Sequence, residues 1–423
     1  MDITMHGAAY EVGRSCIEVK TKKENFLFDA GIKLGADFSE YPTVTEPKKI
    51  NAVFLSHAHL DHSGALPLFN YNGLHCPIFT NVMTKELCKI LLKDSLQVEL
   101  LKEQNPAYSK DNIYNVMDLM QNVKYKKPGV FNTTKYTYYD AGHIPGSASI
   151  KVEVDDKKLV YTGDFNLADT RLLKGGTEKF GEVDALIIEA TYGNRNHPDR
   201  DGEERRFLDK VKQTIDRDAS VIIPAFAVGR SQEVLLMLRK LKGDVPIYLD
   251  GMSKKVIQEF FSRPEYITNV DNLHEMVKKV RFVTKPKQRQ EVMKEQGIFV
   301  TTSGMLDGGP VAHYLKHFYG DAEASILLTG FQTEGTNGDL LMKEGKVFID
   351  GQKVRVACKF DKFDFSAHAG LNNLKTVIKN AMPEHLILNH GDPEGIEGLA
   401  KWAEETFKDM QVYKPKVNDT IKI

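Results

Sequence analysis

The chain of 423 residues predicts an α/β protein in which a second, doubly wound α/β domain is inserted into a first domain. Three observations support this prediction. In the N-terminal part, apolar runs alternate with polar loops that carry acids and histidines. From about residue 195 to residue 354 the pattern becomes strand, glycine turn and helix, and after residue 354 the first pattern returns. The length also favours two domains over one.

Apolar runs followed by an ionisable residue define the first domain. Five of them predict strands in its N-terminal part: NFLFDAG, NAVFLSHAH, KYTYYDAGH, KLVYTGDFN and ALIIEATYG. Between the second and third, KELCKILLKDSLQVELLKEQ has apolar residues every three or four positions and predicts a helix. EHLILNHGD repeats the strand pattern near the C-terminus. We therefore expect residues 1–194 and 355–423 to form one discontinuous domain.

The inserted region, residues 195–354, alternates strands with helices. Its units are ASVIIPAFAVGRSQEVLLMLRKL, VPIYLDGMSKKVIQEFF, GIFVTTSGMLDGGPVAHYLKHF and SILLTGFQTEGTNGDLL. Such alternation predicts a parallel sheet with helices on both faces.

Composition excludes several classes of protein. The formal net charge is −1, so a polyanionic partner must be held by a local basic patch rather than by the overall field. No apolar run is long enough to span a bilayer, and we expect no membrane association. The four cysteines lack CxxC spacing, which argues against a cysteine zinc site and fits a cytoplasmic protein.

The segment SHAHLDHSG concentrates metal-binding side chains directly after a predicted strand. His57 and His59 are two positions apart, so on an extended segment both point the same way and can reach one ion. Asp61 and His62 are adjacent, point differently, and are better placed for a second ion. Imidazole and carboxylate together suit Zn²⁺, while Mn²⁺ and Fe²⁺ remain alternatives.

Three further strand ends supply donors: His143 in DAGHIPGS, Asp164 in YTGDFN and His390 in LNHGD. Seven donors exceed the four that one tetrahedral ion takes, and they fit two ions that share a carboxylate. The alternative is that HAHLDH is an ordinary surface loop. The combination of HxHxDH with three strand-end donors favours the metal site.

HAHLDH, preceded by Asp29 in LFDAG and followed by His143 and Asp164, resembles the metallo-β-lactamase superfamily. The resemblance implies an αββα sandwich and two Zn²⁺ ions, with Mn²⁺ as an alternative. It also implies a role for each donor: His57, His59 and His143 for the first ion, Asp61, His62 and His390 for the second, Asp164 as the bridge, and Asp29 as a residue that orients ligands by hydrogen bonding.

Later motifs are similar to those of the β-CASP branch of that superfamily. IIEATYG resembles its motif A with Glu189, FSAHAG its motif B with His368, and LILNHGD its motif C with His390. The insertion is similar to the β-CASP domain itself. FSAHAG and the opening GAAYEVGRSC most resemble the group of the cleavage and polyadenylation specificity factor endonuclease and its archaeal and bacterial relatives. RNase J is a more distant relative.

The resemblance implies a two-metal ribonuclease of RNA processing or decay, acting alone, as a homodimer or within a processing complex. Its catalytic residues would be Asp61, Glu189 and His368, with His368 as general acid or phosphate clamp and Glu189 raising its pKa. The residues do not separate endonuclease from 5′-to-3′ exonuclease activity, although the FSAHAG form favours an endonuclease. The alternatives are a small-molecule hydrolase of the glyoxalase or lactonase type and a non-catalytic processing scaffold.

RNA contacts are predicted in the inserted region. Arg230 and Ser231 open a helix after VIIPAFAVG, and Ser303 in TTSGM occupies a similar turn, which is where backbone amides attract phosphate. The alternative is that Ser231 caps the helix and Arg230 is an ordinary surface charge. The stretch MVKKVRFVTKPKQRQEVMK is densely basic, and it is either a local RNA patch or, as is commoner, a solvated face.

Overall fold

The computed structural model describes residues 1–35, 39–44, 46–101 and 106–423. The chain divides into two compact units. Unit 1 consists of Met1–Asp169, Leu173–Asn196 and Ala367–Ile423, and unit 2 of Thr170–Leu172 and His197–Ser366. Within the described residues, no helix combines the length and apolarity that a membrane crossing requires.

Unit 1 begins with thirteen described strands and four α-helices. The strands are β1 (Asp2–Met5), β2 (Ile17–Lys20), β3 (Asn25–Phe28), β4 (Lys33–Leu34), β5 (Ser39–Glu40), β6 (Ala52–Phe54), β7 (Ile78–Thr80), β8 (Met120–Asn122), β9 (Gly129–Phe131), β10 (Thr134–Asp140), β11 (Ala148–Val154), β12 (Lys157–Tyr161) and β13 (Ala185–Glu189). The helices are α1 (Leu60–Ser63), α2 (Leu66–Tyr71), α3 (Val82–Leu101) and α4 (Lys110–Leu119).

Unit 2 follows with eight strands and seven α-helices. The strands are β14 (Val221–Pro224), β15 (Ile247–Asp250), β16 (Arg281–Val283), β17 (Ile298–Thr301), β18 (Ser325–Leu328), β19 (Lys346–Ile349), β20 (Gln352–Arg355) and β21 (Lys359–Lys362). The helices are α5 (Arg200–Ile215), α6 (Arg230–Leu238), α7 (Ser253–Ser262), α8 (Val270–Lys279), α9 (Pro286–Val292), α10 (Val311–Phe318) and α11 (Asn337–Glu344).

The chain then returns to unit 1 with its last described elements. They are α12 (Leu371–Ala381), β22 (His385–Asn389), α13 (Pro393–Thr406), β23 (Gln411–Tyr413) and β24 (Thr420–Lys422). The 3₁₀ turns Pro47–Lys49 in unit 1 and Pro264–Tyr266 in unit 2 complete the described elements.

Two seven-stranded sheets form the centre of unit 1. Their orders are β24-β1-β2-β3-β6-β7-β8 and β23-β22-β13-β12-β11-β10-β9. One apolar core fills the space between the sheets, with Phe28 and Phe54 of the first sheet facing Tyr138 and Ile150 of the second. A second core lies between the other face of the second sheet and helices α12 and α13. Unit 1 is therefore an αββα sandwich, as the sequence predicted.

Unit 2 contains a six-stranded parallel sheet with the order β16-β15-β17-β14-β18-β21, and a separate hairpin of β19 and β20. Strands such as VIIP and SILL are buried at every position because apolar cores cover both faces of this sheet. This is the doubly wound arrangement that the alternation of strands and helices predicted.

The second joint between the units lies later than the sequence predicted. It was placed at residue 355, whereas unit 2 extends to Ser366. The reason is that β21 pairs in parallel with β18, and Phe363 and Phe365 pack in a core of unit 2. The first joint lies after Asn196 instead of residue 194, and Thr170–Leu172 also belongs to unit 2. The run VACKFDKFDFSAHAG resembles a strand of the first domain only because a histidine follows it.

A buried carboxylate explains why the short segment Thr170–Leu172 belongs to unit 2. Glu204 of α5 has a side chain that is 2% exposed and accepts hydrogen bonds from Arg171, Arg200 and Lys240. Burial raises the pKa of Glu204, but the hydrogen bonds from these cations outweigh burial and lower it to about 2. Glu204 therefore joins three separate segments of unit 2.

We expect Glu204→Gln to lower the free energy of unfolding of unit 2 by about 1–3 kcal/mol, because the partly exposed cations Arg171, Arg200 and Lys240 lose the charged, buried acceptor of their hydrogen bonds. Chemical unfolding of the whole chain measures this loss. The matched control is Asp216→Asn in the exposed Lys212–Asp216 pair, which should cost less than about 1 kcal/mol. Since the folded pKa is depressed, the stabilisation by Glu204 is present above about pH 4.5 and is lost as the pH falls towards 2. Equal effects of the two substitutions would contradict this role.

Candidate metal centre

The predicted metal donors follow the carboxyl ends of strands in unit 1. His57 to His62 come after β6, His143 after β10, Asp164 after β12 and His390 after β22. Strand β6 is parallel to β3, and β12, β13 and β22 are parallel neighbours, so these ends lie at a common edge of each sheet. The fold thus brings together donors that are more than 300 residues apart in the chain.

The first donor group consists of His57, His59, His143 and Asp164, which offer ligand atoms within 4.8 Å of one another. His59 Nδ1 lies 3.1 Å from His143 Nε2. Asp164 Oδ2 lies 3.6 Å from His57 Nε2 and 3.7 Å from His143 Nε2. Bonds of about 2.0–2.2 Å to a tetrahedral ion put its ligands roughly 3.4 Å apart, so these distances fit a zinc-like cation.

The second donor group consists of Asp61, His62, Asp164 and His390. His62 Nε2 lies 3.2 Å from Asp164 Oδ2, and His390 Nε2 lies 3.4 Å from Asp61 Oδ2. The other oxygen of Asp164, Oδ1, lies 3.2 Å from His390 Nδ1. Asp164 is therefore common to both groups, which is the arrangement that a bridging carboxylate requires.

Hydrogen bonds on the outer side of the imidazoles fix which nitrogen faces the centre. His57 Nδ1 lies 3.0 Å from Ser56 Oγ, His62 Nδ1 donates to Asp29 at 2.7 Å, and His143 Nδ1 donates to the Ala367 carbonyl at 2.9 Å. The opposite nitrogens of these three rings then face inward as acceptors. Outer hydrogen bonds of this kind are what orients histidine ligands in metal sites.

Several inward-facing atoms have no hydrogen-bond partner although they are buried. They are His57 Nε2, His62 Nε2, His390 Nε2 and Asp164 Oδ1. Buried polar atoms are almost always hydrogen-bonded, so a cluster of exceptions at one point needs an explanation. Two divalent cations would satisfy these atoms, and the residues therefore fit a pair of metal ions.

The electrostatics of the centre also favour cations. Burial holds the pKa of His57, His59 and His143 below the ordinary value of histidine, which keeps these imidazoles neutral as metal ligation requires. Burial also lowers the pKa of His62, but Asp164 and Asp61 raise it well above the ordinary value. These carboxylates therefore attract a positive charge to the second group.

Asp29 organises the second donor group from behind. It is fully buried, and its Oδ2 accepts hydrogen bonds at 2.7 Å from His62 Nδ1, Ser56 Oγ and Tyr161 OH. Its Oδ1 accepts from the Ser56 amide at 2.7 Å. A carboxylate placed in this way can orient His62, which is the role that the resemblance implies for Asp29.

The backbone around Asp29 is closely packed and restricts which residues can be substituted there. Asp29 has a φ of +59°, a left-handed conformation that aspartate adopts more readily than most residues. A Cβ at Gly31 would lie 1.7 Å from the carbonyl oxygen of Asp61, so only glycine fits there. The chain after β3 therefore packs directly against the metal-ligand segment.

Three residues that support the centre were missed by the sequence analysis: Ser56, Tyr161 and Ser15. Ser15 Oγ lies 2.9 Å from Tyr161 OH, and the Ser15 amide donates to the Asp61 carbonyl at 2.7 Å. Ser56 directly precedes the predicted donor His57. Tyr161 ends the predicted strand that comes before Asp164. Their polar atoms within apolar runs were the available signal.

Glu189 and His368 lie beside the second donor group. His368 Nδ1 donates to Glu189 Oε2 at 2.9 Å, and Glu189 Oε1 accepts from the Phe165 amide at 2.8 Å. Burial lowers the pKa of His368, but Glu189 and Asp164 outweigh burial and raise it to about 9. His368 is therefore an imidazolium near neutral pH, and the predicted pairing with Glu189 is present.

The three residues predicted to contact RNA differ in exposure. Arg230 begins α6 after Gly229, as the pattern predicted, and is partly exposed. Ser303 is partly exposed and donates to the Asp307 carbonyl at 2.6 Å. Ser231 is fully buried, donates to the Phe226 carbonyl and lies 2.7 Å from Ser253 Oγ. Because its hydroxyl serves these internal contacts, we correct the prediction and remove Ser231 from the RNA contacts.

We expect Asp29→Asn to weaken metal binding by about 10- to 100-fold, because the amide keeps one acceptor oxygen and cannot accept from both His62 Nδ1 and the Ser56 amide as the carboxylate does. Competition with a chelator, followed by metal analysis, measures the affinity. Tyr161→Phe is the matched control, since it removes one hydrogen bond to the same carboxylate and keeps the charge. It should have a smaller effect. Unchanged metal affinity in Asp29→Asn would show that this carboxylate does not organise the centre.

Family models match three successive parts of the chain. The metallo-beta-lactamase superfamily domain matches residues 19–191, the Beta-Casp domain residues 231–341, and the Zn-dependent metallo-hydrolase RNA specificity domain residues 353–415. The first and third matches fall mainly in unit 1, and the second lies wholly in unit 2.

Similar proteins cover the whole chain. "Probable RNase MJ4" of Methanocaldococcus jannaschii is 39% identical over 100% of both chains. RNase aCSPSF2 of Saccharolobus solfataricus is 33% identical over 99% of this chain and 84% of its own. A protein of unknown function from Enterococcus faecalis V583 superposes with a TM-score of 0.63 over 99% of each chain, and its 14% identity shows the fold alone. We conclude that the chain belongs to the β-CASP ribonuclease family of the metallo-β-lactamase superfamily.

Proposed function

We propose that this protein is a ribonuclease that hydrolyses RNA phosphodiester bonds with two divalent cations held by His57, His59, Asp61, His62, His143, Asp164 and His390. One observation carries the proposal: two groups of converging donors share Asp164, and four of their inward-facing atoms are buried without hydrogen bonds. The relatives named as ribonucleases support RNA as the substrate. The match to an RNA specificity domain supports it as well.

Zinc is the cation that the donor set supports best, with Mn²⁺ as the alternative. Five of the seven donors are imidazoles, which suit zinc, and the neutral state of His57, His59 and His143 agrees with that choice. When bound, a pair of such ions would supply a water whose pKa is lowered to about 7 and would stabilise the charge that develops on phosphodiester oxygens.

The protein's own residues orient the attacking water and transfer the proton. Asp61 has a side chain that is 32% exposed, the most open of the carboxylates in the centre, and so it faces the substrate side. Burial raises the pKa of Asp61, but His62 and His390 lower it well below its ordinary value. Asp61 therefore stays ionised, and it can bind a cation and orient the attacking water at once.

His368 supplies the proton that the leaving oxygen needs. Its Nδ1–H donates to Glu189, so the proton for transfer resides on Nε2. Glu189 is fixed in turn by the Phe165 amide and maintains the imidazolium form. His368 is the general acid in this scheme, and Glu189 is the residue that positions and charges it.

We further propose endonucleolytic cleavage in RNA processing or decay, with 5′-to-3′ exonuclease activity as a second capacity of the same centre. Both activities use one metal centre and differ only in how the substrate enters. The four free, buried cysteines support a location in the reducing cytoplasm. A homodimer or a processing complex would supply further RNA-binding surface.

Two other functions fit less well. A glyoxalase- or lactonase-type hydrolase acts on a small molecule, and this function does not explain why the chain matches a Beta-Casp domain and an RNA specificity domain. A non-catalytic scaffold predicts missing donors, whereas all seven are present and converge.

Circular RNA tests the proposed function most directly, because a circle has no end and can be cut only by an endonuclease. We expect the zinc-loaded protein to linearise a circular RNA and to cleave a linear 5′-monophosphorylated RNA of the same sequence. The double variant Asp61→Ala/His62→Ala should cut neither, since it removes two donors of the second group. Cleavage of the linear RNA alone would assign exonuclease activity instead. Failure to cut either RNA would refute the proposed ribonuclease.

We expect His368→Ala to lower the cleavage rate by about 10²–10⁴-fold while both metals stay bound, because proton transfer to the leaving oxygen is lost. Single-turnover kinetics and metal analysis on the same preparation separate these two effects. His385→Ala, at a buried histidine outside the metal centre that contacts Tyr413, is the matched control and should keep its full rate. A His368→Ala protein with an unchanged rate would exclude the general-acid role.

A further inference from the structure

A strongly basic surface in unit 2 is not used by the metal centre. It consists of exposed cations on or beside the edge strand β16, which we call the basic edge: Lys254, Lys255, Lys278, Lys279, Arg281, Lys285 and Lys287. Five of them come from the basic stretch that the sequence analysis noted, and two come from the first turn of α7.

The basic edge groups seven cations that have no acidic partner. Across residues 197–366, all of which are described, none of these seven cations lies within 4.0 Å of a carboxylate oxygen, and Arg281 bonds only the Tyr248 hydroxyl. Several other exposed lysines of the unit are paired. They include Lys316 with Asp350, Lys343 with Asp339, and Lys346 and Lys353 with Glu344.

Arg289 shows what a paired cation in the same stretch does. It turns inward, lies 2.5 Å from Asp250 and leaves 14% of its side chain exposed. Asp250 is itself buried and also accepts from Tyr314 OH at 3.0 Å. Arg289 therefore serves the fold, whereas its basic neighbours face solvent.

The first turn of α7 lies beside β16. Strand β16 pairs in parallel with β15, and α7 begins three residues after β15 ends. Lys254 Nζ consequently lies 5.2 Å from the centre of the Phe282 ring on β16. Beyond the strand, Gln288 accepts from the Thr284 amide and donates to the Phe282 carbonyl, which fixes the turn that carries Lys285.

The length of this surface fits a short run of phosphates. Lys279 and Lys285 bracket β16 and are six residues apart, which corresponds to about 20 Å of extended chain. Cations that are adjacent in the chain, such as Lys278 and Lys279, repel one another, whereas salt screens charges that lie more than about 8 Å apart. A polyanion that follows the strand would relieve the repulsion at several points at once.

We propose that the basic edge binds the backbone of single-stranded RNA outside the metal centre and captures substrate without reading its sequence. This inference rests on the proposed ribonuclease function for the choice of RNA, and on unpaired charge for the surface. Lysine-rich edges also occur as protection against strand pairing. Protection of the edge strand against pairing explains cations on β16 itself, but it does not explain Lys254 and Lys255 on α7.

The test compares two variants that change the net charge equally. The edge variant carries Lys278→Gln, Lys279→Gln, Lys285→Gln and Lys287→Gln. The control variant carries Lys316→Gln, Lys343→Gln, Lys346→Gln and Lys353→Gln, at lysines that have acidic partners. A third protein replaces the four edge lysines with arginine and keeps the charge. Thermal unfolding checks that all of them fold.

Binding to an unstructured RNA is measured by fluorescence anisotropy at several salt concentrations, and cleavage is measured on the same RNA and on an oligonucleotide of about five nucleotides. We expect the edge variant to lose about tenfold or more in affinity and in 1/KM for the long RNA. Its slope of log affinity against log salt should fall by about 3, and its kcat and its cleavage of the short RNA should not change. The control and arginine proteins should match the wild type.

The outcomes separate the two proposals. If the wild type binds RNA through the basic edge but never cleaves it, the proposed ribonuclease function is refuted, and RNA binding by the basic edge is supported. If the wild type cleaves RNA and the edge variant matches the control in affinity, KM and salt slope, the basic edge does not bind RNA. An equal loss in the edge and control variants would also overturn the inference, since it would reflect net charge alone.

Discussion

The carboxylate of Asp164 is the constraint on which the rest of unit 1 depends. It is 2% exposed, lies within 4 Å of nitrogens on His57, His62, His143, His368 and His390, and belongs to every donor group of the centre. A buried carboxylate is costly unless positive charge compensates it. Burial alone would raise the pKa of Asp164, and the surrounding histidines hold it well below the ordinary value.

The fold satisfies this constraint by placing strand ends next to one another. Three adjacent parallel strands of one sheet carry Asp164, Glu189 and His390 at or just after their ends. Two adjacent parallel strands of the other sheet are followed by Asp29 and by the HAHLDH segment. Each donor is then fixed by atoms outside the centre. Asp29 holds His62, Ser56 holds His57, and the Ala367 carbonyl holds His143. Cations would complete the centre, because four of its inner atoms have no hydrogen-bond partner.

Much of this arrangement could be predicted from the sequence, because a strand that ends in a donor has a recognisable pattern. The doubly wound insertion and a shared site for the seven donors follow from such patterns, whereas the αββα sandwich was implied by the resemblance to the metallo-β-lactamase superfamily. The second joint could not be placed, because burial of Phe363 and Phe365 in unit 2 depends on tertiary packing. Ser231 was predicted to contact RNA or to cap its helix, because sequence does not show that Phe226 and Ser253 occupy its hydroxyl. Arg289 likewise differs from its basic neighbours only because Asp250 lies beneath it.

The measurement that tests the central claim most directly is anomalous diffraction from crystals of the zinc-loaded protein. The account predicts two anomalous peaks about 3.5–4 Å apart, with one oxygen ligand from Asp164 on each ion and no other residue shared between them. Two separate ions without a common Asp164 ligand would contradict it. A single peak bound by only one of the donor groups at saturating zinc would contradict it as well.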